Sequence, residues 1–198
     1  MSHALTTDTV LADVVRPTLI ERLTLAPAHM DLAYAEEALT RSVGRDLRLK
    51  KRLEEAGSQY EFVVIDSPAQ LNVLTINTMA AATEVIVPLH SQYYSFVGLA
   101  QLLETIRMMQ SWVNPGLVIS GALVTQFDKK SALHRRALER LRTELNGKIR
   151  VFQTVIPHGL RAQQAAEFHT PVVRLFPNSP VARAYKDLAA EVARVQPA

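Results

Sequence analysis

Asp66 ends an uninterrupted apolar run, Phe62, Val63, Val64 and Ile65, and is followed at once by Ser67 and Pro68. β-Branched and aromatic residues in so short a run predict a strand buried on both faces of a parallel sheet. Proline lacks a backbone donor and restricts the residue before it, so the ladder stops there. A lone carboxylate is thereby put at the carboxyl end of a strand, where open α/β sheets have their ligand crevice. In phosphate-binding proteins a carboxylate so placed holds Mg2+ or its water. Asp is equally common in turns, and simply ending a strand is the other reading the spacing allows.

Other chemistries find less support. The six histidines, His3, His29, His90, His134, His158 and His169, show no metal-site spacing and read as core or surface residues. Ser67 lacks the glycine context of a nucleophile elbow, and no Ser-His-Asp arrangement stands out. Gly116 and Gly121 have the glycine spacing of a phosphate loop, but Ala122 and Leu123 stand where Lys and Ser/Thr are required. That pair marks a turn and a strand. Tyr93, Tyr94 and Phe96 read as packing at a strand-to-helix junction rather than as an exposed aromatic face.

A chain of 198 residues with 48% apolar content suits one α/β domain spanning 1–198, with residues 1–20 as a loosely ordered lead-in. Without cysteine, disulfides and thiolate metal sites are excluded. The start MSHALTTDTV lacks the basic and apolar regions of a secretory signal, and no apolar run approaches the roughly 20 residues that span a bilayer. The expectation is a cytoplasmic protein with no membrane partner. The net charge of +3 is unevenly spread: residues 1–119 hold 9 basic against 13 acidic side chains, and residues 120–198 hold 13 against 6. Such a basic C-terminal part either attracts nucleic acid or anionic lipid, or is the solvated side of ordinary helices.

Elements that would position these groups follow from periodicity. Leu23–Ala26 predicts a short strand, and Asp31 a cap for a helical stretch from Leu32 to Ala56 that Gly44 divides and Gly57 stops. Helical character over 73–82 precedes a buried strand, Glu84 to Leu89, closed near Pro88. Ser95 caps a helix whose Leu99, Leu102, Leu103, Ile106 and Met109 form a core stripe. A strand from Leu117 to Val124 leads to a helix, Ser131 to Leu145, with Leu133, Ala137, Leu138, Leu141 and Leu145 inward. Val151 to Ile156 and Val172 to Leu175 read as strands. Ser179 and Pro180 open a last helix with Tyr185, Leu188, Val192 and Val195 on its apolar side. Strands alternating with helices argue for a mostly parallel sheet covered on both faces.

The run EFVVIDSPAQLNVLTINTMAAATEVIVPLHSQYYSFVGLAQLLETI resembles the Walker B strand and following region of ParA-type chromosome and plasmid partition ATPases, the group that includes Soj and, more distantly, MinD. Ala122 to Asp128 is similar to a later strand of that family ending in Thr-x-Phe/Tyr-Asp, and Val155 to Val172 to its Ile-Pro, Arg and Pro-Val segment. LTLAPAHMDLAYAEEAL is similar to the strand and helix before Walker B, so the resemblance spans roughly residues 8 to 195. It implies a P-loop NTPase-like fold and DNA segregation. Asp66, Ser67 and Pro68 become a Walker B remnant near Mg2+ and nucleotide, and Thr125, Asp128 and Pro157 nucleotide-proximal residues. The family's basic C-terminal residues bind DNA non-specifically, which makes Arg135, Arg136, Arg161 and Arg183 the corresponding candidates. Implied partners are non-specific DNA, a ParB-like adaptor or a full-length ParA-type ATPase, and a second copy in a homodimer, with nucleoid association.

The family's opening strand, its deviant Walker A loop Lys-Gly-Gly-x-Gly-Lys-Thr and its next strand have no counterpart in these 198 residues. Loop amides and a lysine supply the positive potential that holds a triphosphate, and Asp66 alone does not replace them. Ala69 stands where the family usually has a second proline; Gln163, Gln164, Ala165, Ala166 and His169, Thr170, Pro171 replace its Ser-Glu-Ala-Pro and Gly-Lys-Pro segments. The expectation is therefore a ParA-like regulator that binds DNA or a partner, with no cofactor and no catalytic residue of its own. Its alternative is the C-terminal part of an active ATPase, using ATP and Mg2+ when a Walker A segment upstream or on another chain is supplied.

Overall fold

The computed structural model describes residues 1–56, 59–68, 70–91 and 96–194, apart from the side chains of Phe96 and Val97. Gly57, Ala69, Tyr93, Tyr94, Ser95 and Val195, each given a role above, lie outside the described residues. Backbone packing divides the chain into two units, Met1–Thr83 with Glu104–Leu117, and Glu84–Leu103 with Val118–Ala198.

In the first unit, helices α1 (Ser2–Thr6) and α2 (Leu11–Val14) precede a two-residue antiparallel pair, β1 (Arg16–Pro17) with β2 (Thr24–Leu25). The expected loose lead-in is tied down, because Ala4, Leu5 and Leu11 are buried. Arg52, itself buried, donates from Nε to the Ala4 carbonyl (3.0 Å) and from Nη2 to that of Thr7 (2.6 Å), capping the end of α1. A guanidinium can be buried there because Glu55 pairs with it at 2.6 Å.

Helix α3 (Leu32–Thr40), a 3-10 turn (Arg45–Leu47) and α4 (Arg48–Ala56) follow, divided as expected at Gly44, whose φ of 69° suits glycine. Asp31 precedes α3, but its side chain makes no capping bond and instead faces His29 at 3.5 Å. Helix α5 (Val73–Ala81) starts at Asn72, whose Oδ1 accepts from the amides of Leu74 and Thr75, both at 3.0 Å. Buried Asn77 donates to the carbonyls of Arg45 (2.7 Å) and Val73 (2.8 Å) and accepts from the amide of Leu49 (3.0 Å). Around these polar ties Leu5, Leu39, Leu49 and Leu74 form the core, with Leu53 and Ile65 against it.

The second unit holds β3 (Glu84–His90) and β4 (Val118–Thr125), parallel and paired from Glu84 with Val118 to His90 with Thr125. In the chain they are connected through helix α6 (Phe96–Trp112), which buries Leu99 and Leu103 in its first part and Ile106 and Met109 in the part from Glu104 on that belongs to the first unit, the crossover that parallel strands require. Strand β3 alternates, burying Val87 and Leu89 while Ile86 and Pro88 stay exposed, so it is covered on one face rather than two. Strand β4 is buried continuously from Ser120 to Val124, the signature of an inner strand. A register shift opposite Val85 and Ile86 coincides with Gly121 at φ 151°.

The segment expected as a strand at Val151–Ile156 makes isolated parallel bridges, Ala122 with Val151 and Phe127 with Pro157. Its ends do bond to β4, through Phe152 to Ala122 (3.0 Å) and Ile156 to Val124 (2.9 Å). Between them, the amides of Gln153 and Thr154 turn to the carboxylate of Glu191 at 2.9 and 3.0 Å, and this diversion breaks the ladder.

Helix α7 (Ala132–Leu145) starts at Ser131, which accepts from the His134 amide. Its inward face is His134, Leu141 and Leu145, while Leu133 is exposed. Helix α8 (Leu160–Glu167) was not expected, and Val172–Leu175 is a single helical turn, α9, entered from Pro171, rather than a strand. Helix α10 (Pro180–Ala193) starts as expected at Ser179, whose hydroxyl accepts from the Ala182 amide. It packs Val181, Ala184, Leu188 and Val192 around Leu123, Phe152 and Ile156, and leaves Tyr185 exposed.

Candidate functional site

The run Phe62–Ile65 is extended, as its β-branched residues dictate, but among the described residues its backbone has no ladder partner. Phe62, Val63 and Val64 are 66%, 53% and 95% exposed, which corrects the expectation of a strand buried on both faces. A strand is buried by its neighbours, and among the described residues none is hydrogen-bonded to this one. Asp66, Ser67 and Pro68 are exposed at its end. Further along the chain, the Thr75 hydroxyl donates to the Gln70 carbonyl at 2.6 Å.

In the second unit, the carboxyl ends of β4 and of the Val151 segment bring Thr125, Asp128 and Pro157 to one edge. Phe127 bridges to Pro157, and the His158 amide bonds back to the Phe127 carbonyl at 3.0 Å. Buried His134 and Ser91 brace this edge from beneath. Nδ1 of His134 accepts from the Asp128 amide at 2.9 Å, and the Ser91 hydroxyl donates to the Gln126 carbonyl at 2.8 Å. Gln126 itself has φ 53°, so the chain turns sharply just after β4. The Asp128 carboxylate is left exposed, with Oδ1 accepting from the Lys130 amide at 2.9 Å.

The four arginines lie on three helices of this unit. Arg135 and Arg136 are exposed on α7, with Arg135 donating to the Lys129 carbonyl at 2.7 Å. Arg161 on α8 is exposed, lies 4.6 Å over the Phe176 ring and donates to Gln164 at 2.9 Å. Arg183 is exposed on α10. Glu191 is the charged group that sequence reasoning passed over. Burial alone would raise its pKa, but the amides of Gln153 and Thr154, the Thr154 side chain and Arg150 at 2.6 Å outweigh this and hold it at about 2. Its place on the apolar face, three residues after Leu188, was the legible signal.

Among the described residues no group of three or more His, Cys, Asp or Glu is arranged to hold a metal ion, and no helix is long and apolar enough to cross a membrane.

Parallel strands joined by a crossover helix, with loops gathered at their carboxyl ends, define an α/β protein. Solved P-loop structures match almost the whole chain. A cobyrinic acid a,c-diamide synthase from Mycobacterium smegmatis, with bound ADP and magnesium, gives a TM-score of 0.82 at 31% identity, covering 98% of this chain and 70% of that one. An McdA–ATP complex from Cyanothece gives 0.83 at 20% identity, covering 99% and 76%, and speaks for the fold alone. A family model described as an AAA domain matches residues 1–119. The sporulation initiation inhibitor protein Soj of Bacillus subtilis is 37% identical over 186 residues, 94% of this chain and 73% of its own length. The chain belongs to the ParA/Soj-type partition ATPase family.

Proposed function

We propose that this chain is a ParA-like partition protein that binds DNA or a partner and does not hydrolyse ATP by itself. The observation that carries the reading is the state of Asp66. It stands exposed at the end of a segment whose backbone is unpaired among the described residues, and the Ser67 hydroxyl follows it in the chain. Phosphoryl transfer depends on positioning and charge stabilisation, chiefly from loop amides and a lysine about the phosphates. One carboxylate and one hydroxyl do not supply that cradle, so the residues at this end do not by themselves fit Mg-ATP. The exposed Arg135, Arg136, Arg161 and Arg183 support the DNA-binding part, since phosphate contact needs accessible cations.

Equilibrium binding of labelled Mg-ATP to the purified chain tests the first part; no saturable binding is expected, and tight binding refutes it. Filter binding to random duplex DNA tests the second. Retention that falls steeply with salt is expected, and retention indifferent to salt, or none at low salt, refutes it.

One observation favours a second reading. The Mycobacterium smegmatis structure holds ADP and magnesium, and this chain spans 70% of its length. On that reading the chain is the C-terminal part of a working ATPase whose Walker A segment is supplied upstream or by another chain. An in-frame Gly-Lys-Thr loop in the DNA before Met1 would favour it.

A further inference from the structure

The turn between α3 and α4 and the end of α6 line an open groove of about 560 Å³, wholly within the first unit. Val43, Leu47 and Val113 give it an apolar lining, and the first two are 96% and 46% exposed. Exposed apolar residues scattered singly are ordinary. These stand among cations, because Arg48, Lys50 and Lys51 line the same groove against one carboxylate, Glu54. Helical spacing produces the mixture: Leu47, Lys50, Lys51 and Glu54 recur at intervals of three and four and so share a face. The side chains of Arg48 and Lys50 have no ion-pair or hydrogen-bond partner among the described residues, and Lys51 reaches Glu55 only at 4.0 Å. On α6, Trp112 directly precedes Val113 and is 84% exposed, and Met108, one turn earlier on the same face, is 52% exposed. Trp and Met are among the side chains that anchor protein partners.

We propose that this groove docks an acidic amphipathic helix of a partner protein. Charge complementarity selects the occupant. The apolar face of such a helix covers Val43, Leu47 and Val113, and its carboxylates meet Arg48, Lys50 and Lys51. A basic amphipathic helix meets three cations and a single carboxylate, and a second copy docking through this same face sets cations against cations. Long polyanions are disfavoured for a different reason, since the groove is a basic island in an acidic stretch. Residues 1–119 hold 9 basic against 13 acidic side chains. Duplex DNA or an anionic membrane would lie against that wider negative surface as well as the groove. A short helix feels little beyond it, because salt screens exposed charges over about 8 Å.

This inference gives a chemistry to the partner-binding part of the reading above and rests on it, while the nucleotide and DNA parts are read by separate measurements on the same sample. Trp112 is the only tryptophan of the chain and reports on the groove directly. The test is a titration of its fluorescence in the full chain with an acetylated peptide of two Glu-Leu-Leu-Glu-Glu-Ile-Ala repeats, or with the counterpart carrying Lys for every Glu. A saturable blue shift is expected with the acidic peptide, which should bind about tenfold or more tightly than the basic one. In the double variant Arg48→Glu, Lys50→Glu the preference should reverse. Acidic residues suit the first turn of α4, and circular dichroism confirms the fold. No saturable shift at millimolar acidic peptide overturns the proposal, as does equal binding of the two peptides. Acidic-peptide binding that ignores the double variant also overturns it, and leaves partner binding standing at another place. A shift produced by phosphatidylglycerol vesicles but not by the peptide would make a lipid surface the occupant, and one that rises with protein concentration alone would make it a second copy; either result sinks the proposal.

Discussion

Nδ1 of His134 accepts the backbone amide of Asp128 across a gap of 2.9 Å, so a buried ring on α7 fixes the exposed turn that follows β4. Accepting there places the ring proton of the neutral imidazole on Nε2. Replacing His134 by Leu would leave the amide unpaired beside a packed core, which costs about 1–3 kcal/mol. Urea unfolding of His134→Leu should show that loss. A change under about 0.5 kcal/mol would mean that the turn finds another partner.

Gly121 is the position in β4 where the backbone itself forbids a side chain. At φ 151° a Cβ would lie 2.8 Å from the Arg150 carbonyl oxygen and 3.1 Å from the Phe152 ring. Neither can retreat, since that carbonyl accepts the Ala122 amide at 2.8 Å and Phe152 is fully buried. Gly121→Ala should destabilise the fold by about 2 kcal/mol or more, combining the strained φ with overpacking. Thermal unfolding reads this directly.

Glu191 gives the second unit an acid-sensitive tie. Its pKa is about 2 against an ordinary 4.5, despite burial, because two amides, Thr154 and Arg150 favour the ionised form. A carboxylate held below its unfolded value stabilises fully above about pH 4.5, and the contribution is lost as pH falls towards 2. With Arg150 partly in solvent, Glu191→Gln should cost about 2 kcal/mol at pH 7. The gap between the two proteins should close between pH 4.5 and 2. A gap independent of pH would assign the loss to packing instead.

What could be read beforehand depended on whether the cause was local. Ser131 and the Ser179–Pro180 pair cap helices by bonds within one turn, and both are where the sequence puts them. A strand over Leu117–Val124 was legible from its composition, and β4 lies one residue further on, at Val118–Thr125. Val63 and Val64 carry the same local signal, yet burial is conferred by neighbours, and composition cannot report an unpaired edge. Val172–Leu175 misled for a related reason, since β-branched residues in a four-residue stretch do not distinguish a strand from a helical turn. His134 could have been found. It lies on the stripe of Leu138, Leu141 and Leu145, where a polar residue announces a buried partner.

Arg161 separates charge from shape in DNA binding. Its guanidinium is stacked on Phe176 and bonded to Gln164, leaving further N–H groups presented to solvent in a fixed plane. A phosphate can then be met by a preorganised fork rather than by a mobile point charge. In filter binding over a salt series, Arg161→Ala should flatten the log–log slope by about 0.9, one phosphate's worth of released counterions. Arg161→Lys should keep that slope while lowering affinity at every salt concentration, because the charge remains and the stacked plane does not. If both variants match the parent in slope and affinity, Arg161 does not touch DNA, and the contact falls to Arg135, Arg136 and Arg183.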